Sequence, residues 1–230
     1  MLPRVFAIAA IPLLAAQPAN AFFVDFTDTD VFPAGPNAAV VVPNAGGSGV
    51  TLTISGTPQE PNFNDVVSNL AAGFCNGTRP GLALDFECES DGAGIGGFNP
   101  DEVDGEEMLT VSFSQSVEIT AIYLLDFFFD EDGNEIANVD YMNGNDDTFV
   151  PEEGFALFGN GFAAFTVNNE ITSVVKFTAG DGNDNQGVGD YALAGIEFNL
   201  IEREIPVPAA LPLLLTGIAG LALYRRRRAA

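Results

Sequence analysis

The sequence predicts an all-β domain, a β-sandwich set between two apolar ends. Three observations carry this reading. From Phe22 to Leu200, short runs rich in Val, Ile, Phe and Thr recur between clusters of Gly, Asn, Asp and Pro, the pattern of short strands and the turns that join them. No long stretch repeats its apolar residues at the helical period. The chain has 230 residues, and setting the apolar ends aside leaves roughly 180, enough for one hydrophobic core.

Candidate strands are Phe22–Phe26, Ala38–Val42, Val50–Ile54, Leu82–Phe86, Met108–Phe113, Glu118–Phe129, Gly154–Phe158, Phe162–Val167, Ile171–Thr178 and Tyr191–Leu200. Leu109, Val111 and Phe113 alternate with Thr110, Ser112 and Ser114, so that strand turns one face to a core and the other to water. The run from Ile119 to Phe129 is apolar on both faces. It reads either as a central strand covered on both sides or as one beside a contact surface, with Phe127 to Phe129 the place to look. The 20 Phe are expected to serve mostly as core filling. Only Asn64 to Phe74, through Val66, Val67 and Leu70, offers a partial helical stripe.

The N-terminus carries Arg4, an apolar run from Val5 to Ala16, and Ala19-Asn20-Ala21, a small-x-small sequence suited to cleavage between Ala21 and Phe22. Residues 1–21 therefore read as a secretory signal peptide removed by signal peptidase. A permanent anchor is the rival, but about a dozen apolar residues interrupted by Pro12 are short for a ~30 Å hydrocarbon core. At the other end no residue from Val207 to Tyr224 is charged, and Arg225, Arg226, Arg227 and Arg228 follow. That run is long enough to cross a bilayer, and the arginines would stay in the cytoplasm, leaving the domain facing outward. A basic helix lying on the membrane is the alternative, but the apolar residues form an unbroken run and not one face.

Ile205-Pro206-Val207-Pro208-Ala209-Ala210, the apolar helix and the terminal arginines together resemble the tripartite PEP-CTERM sorting signal, in its VPLPA-type form. The sorting motif falls on Val207, Pro208 and Ala209, within a C-terminal segment 203–230. The resemblance implies recognition by an exosortase-type membrane protease, transient anchoring in the inner membrane, and transfer to the cell envelope, outer surface or extracellular matrix. Gly94-Ile95-Gly96 with the stretch Asp101 to Phe113 resembles a segment of secreted PEP-CTERM proteins whose domains are β-sandwiches of jelly-roll-like form. Asp190-Tyr191-Ala192-Leu193-Ala194-Gly195-Ile196-Glu197-Phe198 resembles the last strand of carbohydrate-binding jelly rolls, where a strand-entry Asp helps hold structural calcium.

The portion between the ends, residues 22–202, is strongly acidic. All 32 Asp and Glu fall between Asp25 and Glu204, where Arg79, Lys176 and Arg203 are the only basic residues, a formal charge of −29. Such a domain repels nucleic acid and anionic lipid. The chain has no His, which excludes Ser-His-Asp and Cys-His catalysis and every His-ligated metal centre. No catalytic residues are identified. Paired carboxylates of the glycosidase kind occur by chance among so many acids, and nothing in the sequence sets their separation.

Cys75 and Cys88 are the only cysteines. In a chain bound for an oxidising compartment they are expected to form a disulfide, worth roughly 3 kcal/mol in the chain-entropy model, with free thiols the alternative. Three acidic turns gather hard oxygen ligands around flexible glycine: Asp130, Asp132 and Asn134; Asp181 and Asn183 with Asp190; and Asp101-Glu102-Val103-Asp104. Each is either a structural Ca²⁺ site or a polar hairpin turn, and none matches an EF-hand loop. Two functional classes follow: a non-enzymatic envelope or matrix protein associated with exopolysaccharide, or a carbohydrate-binding module with structural calcium. The absence of Trp and the presence of only four Tyr weaken the stacking platform that the second would use.

Overall fold

The computed structural model describes residues 21–33, 35–36, 39–63, 86–87, 89–90, 92–96, 102–127, 129–130, 133–150, 162–180 and 191–201. Several expected features lie outside them: the signal peptide up to Asn20, the segment Asn64 to Phe74, the strand Gly154–Phe158, and most of the strand Leu82–Phe86. So do Cys75, Cys88, Asp132, Asp181, Asn183, Asp190 and the whole sorting segment 203–230. The chain divides into a unit Met1–Leu200 and a unit Ile201–Ala230, and every described residue except Ile201 belongs to the first.

The strands are β1 (Phe22–Asp25), β2 (Gly35–Pro36), β3 (Val40–Val42), β4 (Leu52–Thr57), β5 (Pro61–Phe63), β6 (Ala93–Ile95), β7 (Met108–Leu125), β8 (Phe129–Asp130), β9 (Gly133–Asn134), β10 (Ala137–Asp140), β11 (Asp146–Phe149), β12 (Ala163–Ala179) and β13 (Ala192–Leu200). Among the described residues there is no α-helix, only a 3-10 turn at Ala45–Gly47. The strand pairs among them are all antiparallel. Eleven strands form one sheet with the path β11-β10-β12-β7-β13-β6-β5-β2, joined by β1 on β13 and by β4, with β3, on β7. Strands β8 and β9 form a separate hairpin.

Strand β7 organises the sheet. One edge pairs with β12 along most of its length. The other edge pairs with β4 from Met108 to Phe113 and with β13 from Val117 to Leu125. The change of partner falls at Ser114-Gln115-Ser116, three exposed residues that bulge out while β12 runs on from Thr172 to Val174. The sequence pattern breaks this strand in two at the same polar residues. The structure keeps it continuous, because the break is a register shift within a ladder and not its end.

The same correction applies to β12. The expected strands Phe162–Val167 and Ile171–Thr178 are one strand, with the polar Asn168-Asn169-Glu170 absorbed in an irregularity between Thr166 and Glu170. Strands β2, β5, β6, β8, β9, β10 and β11 are not expected from the sequence and are two to four residues long. Their Gly, Pro, Asn and Asp content leaves them poor in strand-forming residues.

The core lies mainly on one face of the sheet. Leu109, Val111, Phe113, Val117, Ile119, Ile122 and Leu124 of β7 join Leu52, Ile54, Val175, Phe177, Ile196 and Phe198 there. The apolar phase of β7 slips by one residue between Ile119 and Ile122, where its pairing with both neighbours also shifts. Rings fill much of this core: Phe32 lies 5.0 Å from Phe26 and 5.1 Å from Phe63, and Phe113 lies 5.2 Å from Phe198.

Tyr123 and Leu125 point the other way, into a second cluster with Phe162, Ala192 and Ala194. Phe86 sits over it, 4.9 Å from Phe23 and 5.4 Å from Tyr123, both edge to face. The glycine in mid-strand at 195 has a packing reason: a Cβ there would come within 2.7 Å of the Phe23 ring and 3.1 Å of the Phe86 ring. Of the two readings of the doubly apolar run, the covered central strand is therefore the one observed up to Leu125. Phe127 is buried too, packed edge to face on Phe165 and Tyr191, so it is core and not a contact surface.

Candidate functional site

Strands β10, β11 and β12 each bury one face, and their alternation sets up a polar surface. In β10 Ala137 and Val139 are buried while Asn138 and Asp140 face outward; in β12 Val175 and Phe177 are buried while Lys176 and Thr178 alternate with them. Register aligns the outward residues in two cross-strand rows. One runs Asp146, Asp140, Lys176, Thr110; the other runs Thr148, Asn138, Thr178, Met108. Together with Val139 and Asp147, seven of these eight residues, all but Thr110, line an open depression of about 270 Å³.

Asp140 and Asp146 face each other directly, a like-charge pair that costs stability in a ladder. Lys176 on the far side of Asp140 offsets part of that repulsion, and the Asp140 carboxylate also accepts the Met142 N–H at 2.7 Å. Thr148 Oγ1 donates to Asn138 Oδ1 at 3.0 Å. The surface thus presents carboxylates, one ammonium, an amide and hydroxyls, with Met108 at the end of one row. Such groups exchange hydrogen bonds with hydroxyl-rich ligands.

The hairpin that carries this surface is anchored from below. The Tyr141 ring is buried, and its hydroxyl donates to Asp147 Oδ2 at 2.8 Å; burial first, then Asp147, hold the phenol far above its ordinary range. Thr172 Oγ1 donates to the Tyr141 carbonyl and accepts the Val174 N–H at 3.0 Å. At the tip, Asn143 and Asn145 both donate to Glu170 of β12.

A second polar knot closes the end of β1. Asp25 Oδ1 accepts the Thr27 N–H at 2.8 Å and the Thr27 hydroxyl at 2.6 Å, and Oδ2 accepts the Glu87 N–H at 2.7 Å. The Thr27 carbonyl accepts the N–H groups of Glu89 and Ser90. Burial raises the Asp25 carboxyl above its ordinary value, against the opposing effect of these hydrogen bonds. This knot fastens Glu87, Glu89 and Ser90, and with them Phe86, over the second cluster.

Of the candidate calcium ligands, Asp130 and Asn134 lie on the β8–β9 hairpin, where Asp130 pairs with Gly133 and Phe129 with Asn134. In the third turn, Glu102 and Val103 bridge to Ile95 and Tyr191, and Asp104 and Glu107 bond reciprocally: the Asp104 N–H donates to the Glu107 carboxylate and the Glu107 N–H to the Asp104 carbonyl. Burial raises the Glu107 carboxyl. Among the described residues no three His, Cys, Asp or Glu side chains are grouped so as to hold a metal ion, and no helix is long and apolar enough to cross a membrane.

The two polar rows are not anticipated by the sequence reading. One signal was available, since Lys176 is one of only three basic residues between Phe22 and Glu204 and alternates with Val175 and Phe177. Comparison with protein-family models, with curated proteins and with solved structures finds no match to this chain.

Proposed function

We propose that the chain is a non-enzymatic exported protein of the cell envelope or extracellular matrix, sorted by an exosortase-type system. The observation that carries this reading is the order of three parts at the C-terminus: the Ile205 to Ala210 motif, the uncharged run to Tyr224 and the four arginines, behind an N-terminal signal-like segment. Mass spectrometry of the protein recovered from envelope or matrix material tests it. The expected chain starts at Phe22 and lacks the arginine tail; uncut protein dissolved in the cytosol overturns the proposal.

The domain itself we read as a jelly-roll-like β-sandwich. Two features support this: β7 is covered on both faces at its C-terminal end, and it changes edge partners from β4 to β13 at an exposed bulge. Corners of this kind are where strands pass between layers.

The alternative reading is a carbohydrate-binding module with structural calcium. The polar rows of β10, β11 and β12 favour it, because amide, carboxylate and hydroxyl groups in register suit an uncharged polysaccharide, while the carboxylates repel an anionic one. Pull-down on neutral exopolysaccharide separates the two readings. A binding module is expected to be retained and to lose at least severalfold affinity as Asn138→Ala with Thr178→Ala. A matrix protein without this activity is not retained at all.

A further inference from the structure

We propose that Asn143-Gly144 is a latent deamidation site that Glu170 keeps intact. An asparagine followed by glycine is chemically exposed to this reaction, because glycine has no Cβ to hinder attack by its own backbone nitrogen. The Gly144 nitrogen bonds to Asn143 Cγ, the Cγ–Nδ2 bond breaks, and ammonia leaves with the proton from Gly144. Water then opens the cyclic imide at either carbonyl, giving aspartate or isoaspartate. The site meets the steric conditions: Asn143 and Gly144 are both exposed at the β10–β11 turn, and a Cβ at Gly144 would have nothing within 4 Å.

What opposes the reaction is how the Asn143 amide is held. Its Oδ1 accepts the Asn145 N–H at 2.9 Å, an Asx turn that points the carbonyl past Gly144. Its Nδ2 donates to Glu170 Oε2 at 2.8 Å and to the Ile171 carbonyl at 3.2 Å. Glu170 Oε2 is itself fixed by Asn145 Nδ2 at 2.9 Å. The amide is therefore bonded at both ends, and the rotation that would bring Cγ over the Gly144 nitrogen breaks these bonds. The two amide donors favour the charged carboxylate, which makes the clamp charge-assisted.

The product cannot restore the clamp. A carboxylate at position 143 has no N–H to donate and sets a second negative charge against Glu170; isoaspartate also lengthens the backbone of the turn by one carbon. The change is one-way, and it loosens the tip of the hairpin that bears the polar rows. Glu170 acts here as a positioning residue, whichever way the chain is sorted.

The test is isoaspartate and mass-shift analysis of the peptide containing residue 143, after incubation of the purified full-length chain in mildly alkaline buffer. Wild type is expected to deamidate at this peptide severalfold more slowly when folded than in urea. Glu170→Ala is expected to raise the folded rate severalfold, with Glu170→Gln, which keeps one acceptor oxygen, in between. Equal rates in folded and urea-treated wild type overturn the proposal, and so does a Glu170→Ala rate equal to wild type when its circular dichroism is native.

Discussion

Leu125→Ala is expected to lower the unfolding free energy by about 2–5 kcal/mol, as much as Ile122→Ala in the same strand. The two side chains point to opposite faces of β7. Ile122 belongs to the main core and Leu125, only 1% exposed, to the second cluster. If that second face were solvated, truncating Leu125 would change stability by no more than about 0.5 kcal/mol. Ile171→Ala supplies the surface control, since Ile171 is 52% exposed. A domain typically has about 5–15 kcal/mol to lose, so either core truncation removes a sizeable share. Chemical denaturation of the three variants measures the effect. A near-neutral Leu125→Ala would remove the two-sided coverage on which the sandwich reading leans.

Asp25→Ala comes next in size, with an expected loss of about 2 kcal/mol, because it leaves three donors without their acceptor. The desolvation that raises this carboxyl tempers the loss and gives it a pH signature. An acid whose folded value is raised binds more protons folded than unfolded in the window above its ordinary value, so the stability it contributes falls as pH rises through the raised value. Asp25 and Glu107 both act in this direction, from ordinary values of 3.8 and 4.5. Relief of the −29 charge by protonation acts the same way. The melting temperature is therefore expected to be higher at mildly acid than at neutral pH. It should fall again only at lower pH, as Glu170, whose value is lowered, loses its charge. Thermal scans of wild type and Asp25→Ala across this range check both parts: a wild-type maximum at or above neutrality would contradict the assignment.

The long central strands were legible because their alternation is strong. Leu109, Val111 and Phe113 face the core as the pattern indicates, and the doubly apolar run from Ile119 to Leu125 is covered on both sides. Two long strands were each expected as two, for one physical reason. Periodicity detects a change of phase but does not say whether the strand ends or bulges, and at Ser114-Gln115-Ser116 and Asn168-Asn169-Glu170 the ladder continues through. Strands β10 and β11 were missed for another reason. Both strands, at the β11 end of the sheet, bury a single face, so Asn138, Asp140, Asp146 and Thr148 are free to be polar, and Ala137, Val139 and Phe149 alone give too short a pattern. The candidate site was hidden with them, because its residues come from four strands and meet only through register. At Phe127 the sequence left core and contact surface open, since three successive Phe look like a patch until Phe165 and Tyr191 are seen against the first of them.

The partner exchange along β7 also bears on when the domain can fold. Its N-terminal half waits for nothing beyond β12, but its C-terminal half needs β13, and β1 pairs with β13 alone among the described strands. Among the described strands the first in sequence is thus completed by the last. Pairings so distant in sequence form slowly, because loop closure must precede any gain from the contact. A chain emerging in order stays open until Leu200 has appeared, which suits the proposed passage through a narrow translocation channel before the sheet locks.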